Sequence, residues 1–175
     1  MSRVGPTQLM LADIAAEAGL TPGALVQRFG SKRDLLLAVS AQAAETTPAM
    51  FAELRAANPS PLAALRAYAD CMAAMGESPA ALAHHLAYLQ LDLTDPDFHR
   101  HTMAQARATR AALREFVADA IATGELKPDV DPDALARTIE VTVGGSLMAW
   151  AFYREGTAAE WVRVDLEAVL RPYRE

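Results

Sequence analysis

The sequence predicts an all-α protein, and three observations support this. A side-chain acceptor stands directly before a proline at Thr21-Pro22, Ser60-Pro61, Ser78-Pro79, Asp95-Pro96 and Asp131-Pro132. Such an acceptor caps the unpaired amides of a helix start, and proline at the first helical position loses no needed hydrogen bond. Glycines stand where the preceding helices should end, at Gly19, Gly30, Gly76, Gly124 and Gly156. No run alternates polar and apolar residues for long enough to indicate a sheet.

These signals divide the chain into eight helices. Two further starts are capping boxes or close variants, at Ser31–Asp34 and Thr157–Glu160. The predicted helices span residues 11–18, 22–29, 31–57, 61–75, 79–92, 96–123, 132–155 and 158–172. Apolar residues at helical spacing support the last two helices. Pro48 predicts a kink or a break in the third helix near Thr47.

Composition limits the classes of function. The 175 residues are 52% hydrophobic and carry a net charge of −6, which argues at first against nucleic acid. Residues 1–40, however, hold four basic and three acidic residues (+1), against twelve and nineteen (−7) in the remainder. Because three of those four basic residues lie within Arg28–Arg33, the segment has a local basic edge compatible with DNA binding.

The sequence has neither a membrane-spanning run nor a pair of cysteines, and both absences bear on the cellular compartment. No run approaches the ~20 apolar residues that a membrane span needs, so no membrane association is expected. Cys71 is the one cysteine, which excludes an intrachain disulfide and suits a reducing cytoplasm. We therefore expect a cytoplasmic protein in which Cys71 is a small buried hydrophobe.

The stretch LADIAAEAGLTPGALVQRF has the pattern of two short helices joined by a tight turn. Its inward-facing positions are Ile14, Ala15 and Ala18 on the first helix, and Leu25 and Phe29 on the second. Gly19 turns the chain, and Leu20 is expected to plug the turn. This is helix-turn-helix patterning, in which the second helix is short because it must fit the major groove. An ordinary helical hairpin has the same pattern, so both interpretations remain open at this point.

The longer segment LADIAAEAGLTPGALVQRFGSKRDLL resembles the DNA-binding segment of the TetR family of transcriptional regulators. The match is in register at Asp13-Ile14-Ala15, Ala18-Gly19, Gly23, Leu25, Phe29 and Ser31-Lys32. The resemblance implies that Lys32 contacts phosphate, that Thr21 caps the helix and donates to phosphate, and that Gln27 meets a base edge or phosphate. The DNA-binding residues implied in this way are Thr21, Pro22, Gly23, Ala24, Gln27, Arg28 and Lys32.

Departures from the family pattern reduce the expected DNA affinity. The family's tyrosine is Val26 here, and the threonine that opens its first motif helix is Met10. Neither side chain can donate to phosphate. The family also has a full amphipathic helix before the motif, where this chain has ten residues interrupted by Gly5-Pro6. We therefore expect residues 1–10 to be mostly extended or irregular, residues 11–30 to keep their helices but be mobile, and DNA binding to be weak.

The resemblance implies two domains: a helix-turn-helix DNA-binding region over residues 1–45 and an effector-binding and dimerisation domain over residues 46–175. In this family the second domain encloses an apolar effector cavity. Methionines, aromatic residues and a histidine suit such a lining, and the candidates are Met72, Met75, His85, Tyr88, Phe98, Met103, Phe116, Leu147 and Trp150. Each of them is also an ordinary core residue, so this alternative stays open.

The last two helices predict a two-fold homodimer. Gly144-Gly145 removes side-chain bulk, and apolar neighbours on both helices supply area for a four-helix arrangement. The predicted interface consists of Val141, Gly144, Gly145, Met148, Trp161, Leu166 and Val169. Leu147 and Trp150 point away from this face and toward the expected cavity.

The sequence predicts no enzyme, metal or cofactor. His84, His85, His99 and His101 lack metal-ligand spacing, and no phosphate loop, nucleophile elbow or HExxH occurs. The resemblance implies a ligand-responsive regulator, a repressor that binds a palindromic double-stranded DNA operator as a homodimer and is released by a small apolar effector. The alternative is a helical small-molecule-binding protein that has lost competent DNA binding.

Overall fold

The computed structural model describes residues 9–174 and contains eight α-helices in that range. They are α1 (Leu11–Glu17), α2 (Pro22–Phe29), α3 (Lys32–Ala57), α4 (Pro61–Ala73), α5 (Pro79–Thr94), α6 (Pro96–Ala122), α7 (Pro132–Tyr153) and α8 (Ala158–Leu170). Short 3₁₀ segments follow α4 and α8, at Ala74–Gly76 and Arg171–Tyr173. No strand occurs between residues 9 and 174, which confirms the all-α prediction. Of residues 1–10, for which the sequence predicts mostly irregular structure, residues 9 and 10 have no regular secondary structure, and residues 1–8 lie outside the described range.

The helices begin where the sequence predicts because their caps are local. The Thr21 hydroxyl accepts a hydrogen bond from the Ala24 amide at 3.2 Å, and Ser60 and Ser78 cap their helices in the same way. Thr157 and Glu160 form a reciprocal capping box. Each of these bonds satisfies an amide that would otherwise have no partner inside the helix.

Helix ends follow the sequence less closely. Gly19, Gly30 and Gly124 have positive φ angles at the ends of α1, α2 and α6, as expected. Helix α7 ends instead at Arg154, which adopts the left-handed conformation at φ 58°, so Gly156 is not its terminator. Of the kink or break predicted near Thr47, the break is wrong, because α3 continues through Pro48.

Helix α3 continues past Pro48 because the residues after the proline are packed in the hydrophobic core. Phe51, one turn beyond Pro48, is 3% exposed and stacks on Tyr68 with ring centroids 5.3 Å apart. The Phe116 ring also lies against Phe51, with the two ring centroids 5.8 Å apart. Burying a side chain of this size stabilises a fold by about 1.5–3 kcal/mol, which offsets much of the cost of a proline inside a helix.

Two hydrophobic clusters organise the molecule. The main core joins the second half of α3 to α4, α6, α7 and α8, and its largest fully buried side chains include Leu65, Leu113, Phe116, Ile139, Leu166 and Leu170. The smaller cluster, here called the joint core, consists of buried Leu9, Leu36 and Phe98 with part-buried Ile14, Leu37, Tyr88 and Leu91 against them. The joint core attaches the beginning of the described chain to α5 and the start of α6.

Two expectations about single side chains are wrong. Leu20 is 46% exposed and does not plug the turn after α1, because the turn is closed by the backbone, with the Leu20 amide donating to the Ala15 carbonyl at 2.8 Å. Cys71 is exposed instead of buried.

Among the described residues, no helix is both long enough and apolar enough to cross a membrane.

Candidate nucleic-acid interface, effector region and dimer face

Helices α1 and α2 pack through small and apolar residues. Ala15 is fully buried and Leu25 is 3% exposed, while Ile14 and Phe29 are half-buried beside them. Ala15 has no side chain beyond Cβ, so the two helices can approach closely. Gly19, at φ 66°, supplies the left-handed residue that lets the chain reverse between them. We call α1, α2 and the turn between them the helix-turn-helix unit.

None of the seven predicted DNA-binding residues is buried. Thr21, Pro22, Gly23, Gln27 and Arg28 are exposed, and Ala24 and Lys32 are half-buried. They lie at the start of α2, along its outer side and at the first residue of α3. In the first turn of α2, Pro22 has no amide hydrogen, and the Ala24 and Leu25 amides donate to the side chain and carbonyl of Thr21. The Gly23 amide and the positive end of the helix dipole are therefore what favours a phosphate oxygen there. Gln27 and Arg28 have the donors that base edges accept.

The positions that depart from the family pattern are exposed as well. Val26 is 46% exposed and Met10 is 62% exposed. Val26 therefore puts an apolar side chain on α2 among the DNA-binding candidates, and Met10 exposes one directly before α1. Arg28 lies over the ring of its neighbour Phe29, with the guanidinium carbon 5.3 Å from the ring centroid, which limits where its charge can reach.

Ion pairs tie the start of α3 to the start of α6. The Arg33 guanidinium donates to Asp95 at 2.8 Å and to Asp97 at 2.9 Å, and Arg100 also pairs with Asp97. The hydrogen bonds from Arg33 lower the pKa of Asp95 and Asp97, and the two carboxylates raise the pKa of Arg33. The guanidinium also covers the Phe98 ring at 5.7 Å. The helix-turn-helix unit is thus fixed, through α3, to α6.

The structure does not gather the nine effector-pocket candidates around one cavity. Leu147 and Trp150 belong to the main core, as does Phe116, which also lines a cavity of about 400 Å³ between α3 and α6. Phe98 lies in the joint core, whereas Met75 and His85 line a smaller cavity of about 270 Å³ beside Cys71. Met72 packs against the main core, Tyr88 against the joint core, and Met103 is 37% exposed.

Close packing explains why Leu147 and Trp150 do not face an open space. A Cβ atom built on Gly76 would lie 3.1 Å from the Trp150 ring, 3.5 Å from Leu147 and 2.8 Å from Ala158. The Trp150 indole also donates to the Gly156 carbonyl at 3.2 Å. The backbone at Gly76, in the 3₁₀ segment, therefore occupies the space in which the sequence predicted a ligand.

One polar atom among the effector candidates has no partner. The Tyr88 hydroxyl is enclosed and makes no hydrogen bond to another described residue. Burial raises the pKa of Tyr88, because the charged phenolate would lose its solvation.

Between residues 9 and 174, no group of three or more histidine, cysteine and acidic side chains has an arrangement suited to a metal ion.

Helix α7 carries an exposed apolar stripe. Val141 is 64% exposed and Met148 46%, and added Cβ atoms on Gly144 or Gly145 would meet nothing within 4 Å. Phe152, 79% exposed, continues the stripe by one turn and is absent from the predicted interface. Its spacing of four residues from Met148 is a signal that the sequence already contained.

Helix α8 contributes less to this face than predicted. Leu166 is 1% exposed and lies in the main core, so its assignment to a dimer interface is corrected. Val169 is part-buried against the same core. Trp161 is also part-buried, stacking on Tyr153 at 5.5 Å, while Val164 is 67% exposed and was missed.

Comparison with known proteins agrees with this architecture. The family model described as "Bacterial regulatory proteins, tetR family" matches residues 1–39, and "Tetracyclin repressor-like, C-terminal domain" matches residues 61–166. No curated protein matches the chain. The fold is similar to a TetR transcription regulator from Haloarcula marismortui, with 18% identity, a TM-score of 0.77 and coverage of 97% of this chain and 89% of that one.

Two further solved structures are similar in fold. One is the ketosteroid transcriptional regulator KstR2 of Mycobacterium tuberculosis, with 22% identity, a TM-score of 0.64 and coverage of 99% and 89%. The other is SmeT, the repressor of the Stenotrophomonas maltophilia multidrug efflux pump SmeDEF, with 20% identity, a TM-score of 0.68 and coverage of 97% and 82%. These relatives are regulators and not enzymes. Since the C-terminal family model alone matches more than half of the residues, the chain belongs to the TetR family of transcriptional regulators.

Proposed function

We propose that this chain is a ligand-responsive repressor, which binds a palindromic operator as a homodimer and leaves it when a small apolar effector binds. The observation that supports this best is the exposed outer side of α2, held by the buried contact between Ala15 and Leu25. In the proposed complex, Thr21 and Lys32 contact phosphate while Gln27 and Arg28 read base edges. Pro22, Gly23 and Ala24 let the backbone of α2 approach the groove.

The proposed domain boundary lies within α3, with residues 1–45 as the DNA-binding region and residues 46–175 as the effector and dimerisation domain. Two contacts of α3 support it. Leu36, near its start, belongs to the joint core, whereas Phe51 belongs to the main core. One helix therefore carries both halves of the molecule.

The exposed stripe on α7 supports the proposed homodimer. Regulators of this family act as dimers, and a two-fold interface needs a self-complementary apolar surface. Val141, Met148 and Phe152 supply that surface, and Gly144-Gly145 allows two copies of α7 to approach closely. The proposed interface keeps Trp161 and Val169 at its margin and leaves out Leu166.

The effector proposal is supported by the cavity beside Met75 and His85, between the end of α4 and α5. Its volume of about 270 Å³ is near the lower limit of small-molecule sites, so the proposed ligand is compact or enlarges the cavity on binding. Regulators named for ketosteroids and for a drug efflux pump share the fold, which fits a compact apolar ligand. The effector would release DNA by favouring a dimer whose two α2 helices no longer match the operator spacing.

Fluorescence anisotropy with labelled DNA from the regions flanking the gene tests the proposal. We expect specific binding to be weak, because Val26 and Met10 provide no phosphate donor, and to fall with salt only to the extent set by the few phosphates that cations such as Lys32 neutralise. The double variant Gln27→Ala, Arg28→Ala should abolish specific binding. Arg107→Ala, which removes an exposed arginine from the middle of α6, is the matched control and should bind as the wild type.

A second candidate function rests on the same two exposed apolar residues. A helical small-molecule-binding protein that no longer recognises DNA would also tolerate Val26 and Met10 on this surface. A folded dimer that binds apolar ligands but no flanking fragment would support this candidate and contradict the repressor proposal. Tight specific binding in moderate salt would instead contradict the argument from the missing donors.

A further inference from the structure

A cavity separate from the proposed effector site lies at the joint between the helix-turn-helix unit and the larger domain. Its volume is about 410 Å³, within the range of roughly 300–1,000 Å³ typical of small-molecule sites. The apolar part of its lining comes from Leu36 on α3, Ala87 and Leu91 on α5, and Phe98 on α6. We call this space the joint cavity.

The charges that line the joint cavity leave one cation without a partner. Arg33 is neutralised by Asp95 and Asp97, and Arg100 shares Asp97, so these four groups balance. Lys32 also lines the cavity, and no carboxylate lies within ion-pair distance of its ammonium among residues 9–174. The cavity thus combines an apolar wall with a net charge of one positive unit at its edge.

We propose that the joint cavity binds an amphipathic carboxylate, with an aliphatic body against Leu36, Leu91 and Phe98 and its carboxylate on the Lys32 ammonium. Both parts of such a molecule find complementary surface there. A neutral lipid alcohol could still accept a hydrogen bond from Lys32 but would lose the ion pair with it, and an aliphatic amine would place a second cation beside it. The Arg33 guanidinium, already held by two carboxylates, contributes shape and no free charge.

Occupation of the joint cavity has a consequence for DNA that rests on the proposed function. Lys32 is also the residue proposed to contact operator phosphate, and one ammonium cannot serve a buried carboxylate and a DNA phosphate with full strength. A carboxylate in the joint cavity therefore competes with DNA directly, without any change in the spacing of the two α2 helices. This route of release is independent of the effector cavity beside Met75.

Isothermal titration calorimetry with decanoate, below its micellar concentration and without DNA, tests the proposal on the full chain. We expect saturable binding of one decanoate per protomer, and at least tenfold weaker binding of decanol. Lys32→Gln should weaken decanoate binding by about tenfold, because the neutral amide can still donate to the carboxylate but no longer forms an ion pair with it. Arg28→Ala, which removes an exposed cation outside the cavity lining, should leave the affinity unchanged.

A pair of tryptophan variants locates the site. Ala87→Trp fills the joint cavity from α5 and should abolish decanoate binding, whereas Ala83→Trp adds the same ring one turn earlier, at an exposed position outside the lining. Unaltered binding by folded Ala87→Trp, equal affinity for decanol and decanoate, or no binding at all would overturn the proposal. The comparisons with Lys32→Gln and decanol do not depend on α5, so they decide the matter even if Ala87→Trp fails to fold. Because no step uses DNA, failure here leaves the repressor proposal standing.

Discussion

Replacing Val141 with glutamate should dissociate the proposed dimer while leaving the protomer folded. Val141 is 64% exposed in the protomer, so a carboxylate at this position costs the isolated fold little. In a two-fold interface through α7 the same residue occurs twice, and both carboxylates would have to lose their water within an apolar contact. The protomer and the dimer therefore respond very differently to one substitution.

The size of the effect follows from the cost of burying an unpaired charge. With about 3 kcal/mol for each carboxylate, two of them weaken the dimer by about 6 kcal/mol, or roughly four powers of ten in the dissociation constant. Sedimentation velocity at micromolar concentration should then show a dimer for the wild type and a monomer for Val141→Glu. The two proteins should have similar circular dichroism spectra, because the helices do not depend on Val141.

A matched control separates interface chemistry from the substitution itself. Val26→Glu makes the same change on an exposed valine of α2, far along the chain from α7, and should remain dimeric. A Val141→Glu protein that sediments as a dimer at micromolar concentration would refute the reasoning about the α7 stripe. So would a wild type that sediments as a monomer.

Three further predictions concern the core, the effector and the ion pairs. Leu166→Ala should lower the free energy of unfolding by about 2–5 kcal/mol in urea titrations, because it opens a cavity in the main core. Met75→Trp should fill the proposed effector cavity and reduce the rise in melting temperature that apolar ligands produce, while sedimentation still shows a dimer. Arg33 keeps the pKa of Asp95 and Asp97 below the ordinary value of 3.8, so its contribution to stability holds above that pH and is lost as the pH falls below it. The difference in melting temperature between wild type and Arg33→Met should accordingly shrink in acid.

The helix boundaries could be predicted because their causes are local. A cap such as Thr21 or Ser78 acts within three residues, and the proline after it limits the same few positions. The end of α7 escaped prediction because Arg154 accepts a left-handed conformation that glycine usually occupies. Nothing in the residues around Pro48 reveals that the stacking of Phe51 on Tyr68 will hold α3 together.

The apolar pattern of α8 does not determine which side of the helix faces the core. Its apolar residues occupy more than one side, so periodicity predicts a helix without deciding which side faces the core. In the structure Val162, Leu166 and Leu170 face inward at spacings of four residues, and Val164 faces out. Choosing Leu166 for the interface was wrong because that decision depends on where α4 and α7 lie.

The effector region was the least predictable part, since a cavity is space between elements and has no residue pattern of its own. Aromatic residues and methionines occur equally in a core and around a ligand, and here Trp150 and Leu147 are in the core. The joint cavity escaped prediction for the related reason that its lining comes from three helices. Lys32 and Phe98, which meet there, are far apart in the chain.

The contacts between α3 and α6 indicate how the two halves of the molecule would communicate. At the start of both helices Arg33 holds Asp95 and Asp97, and near their ends Arg55 holds Glu115 and Asp119. The two helices therefore run in the same direction and are pinned to each other at both ends, with Phe51 against Phe116 between the pins. Since α3 is continuous from Lys32 to Ala57 and packs along α6, we expect a shift of α6 to displace the start of α3, to which the helix-turn-helix unit is joined. In the proposed dimer, a ligand that moves α6 relative to α7 would then change the separation of the two α2 helices, whereas a ligand in the joint cavity is proposed to act on Lys32.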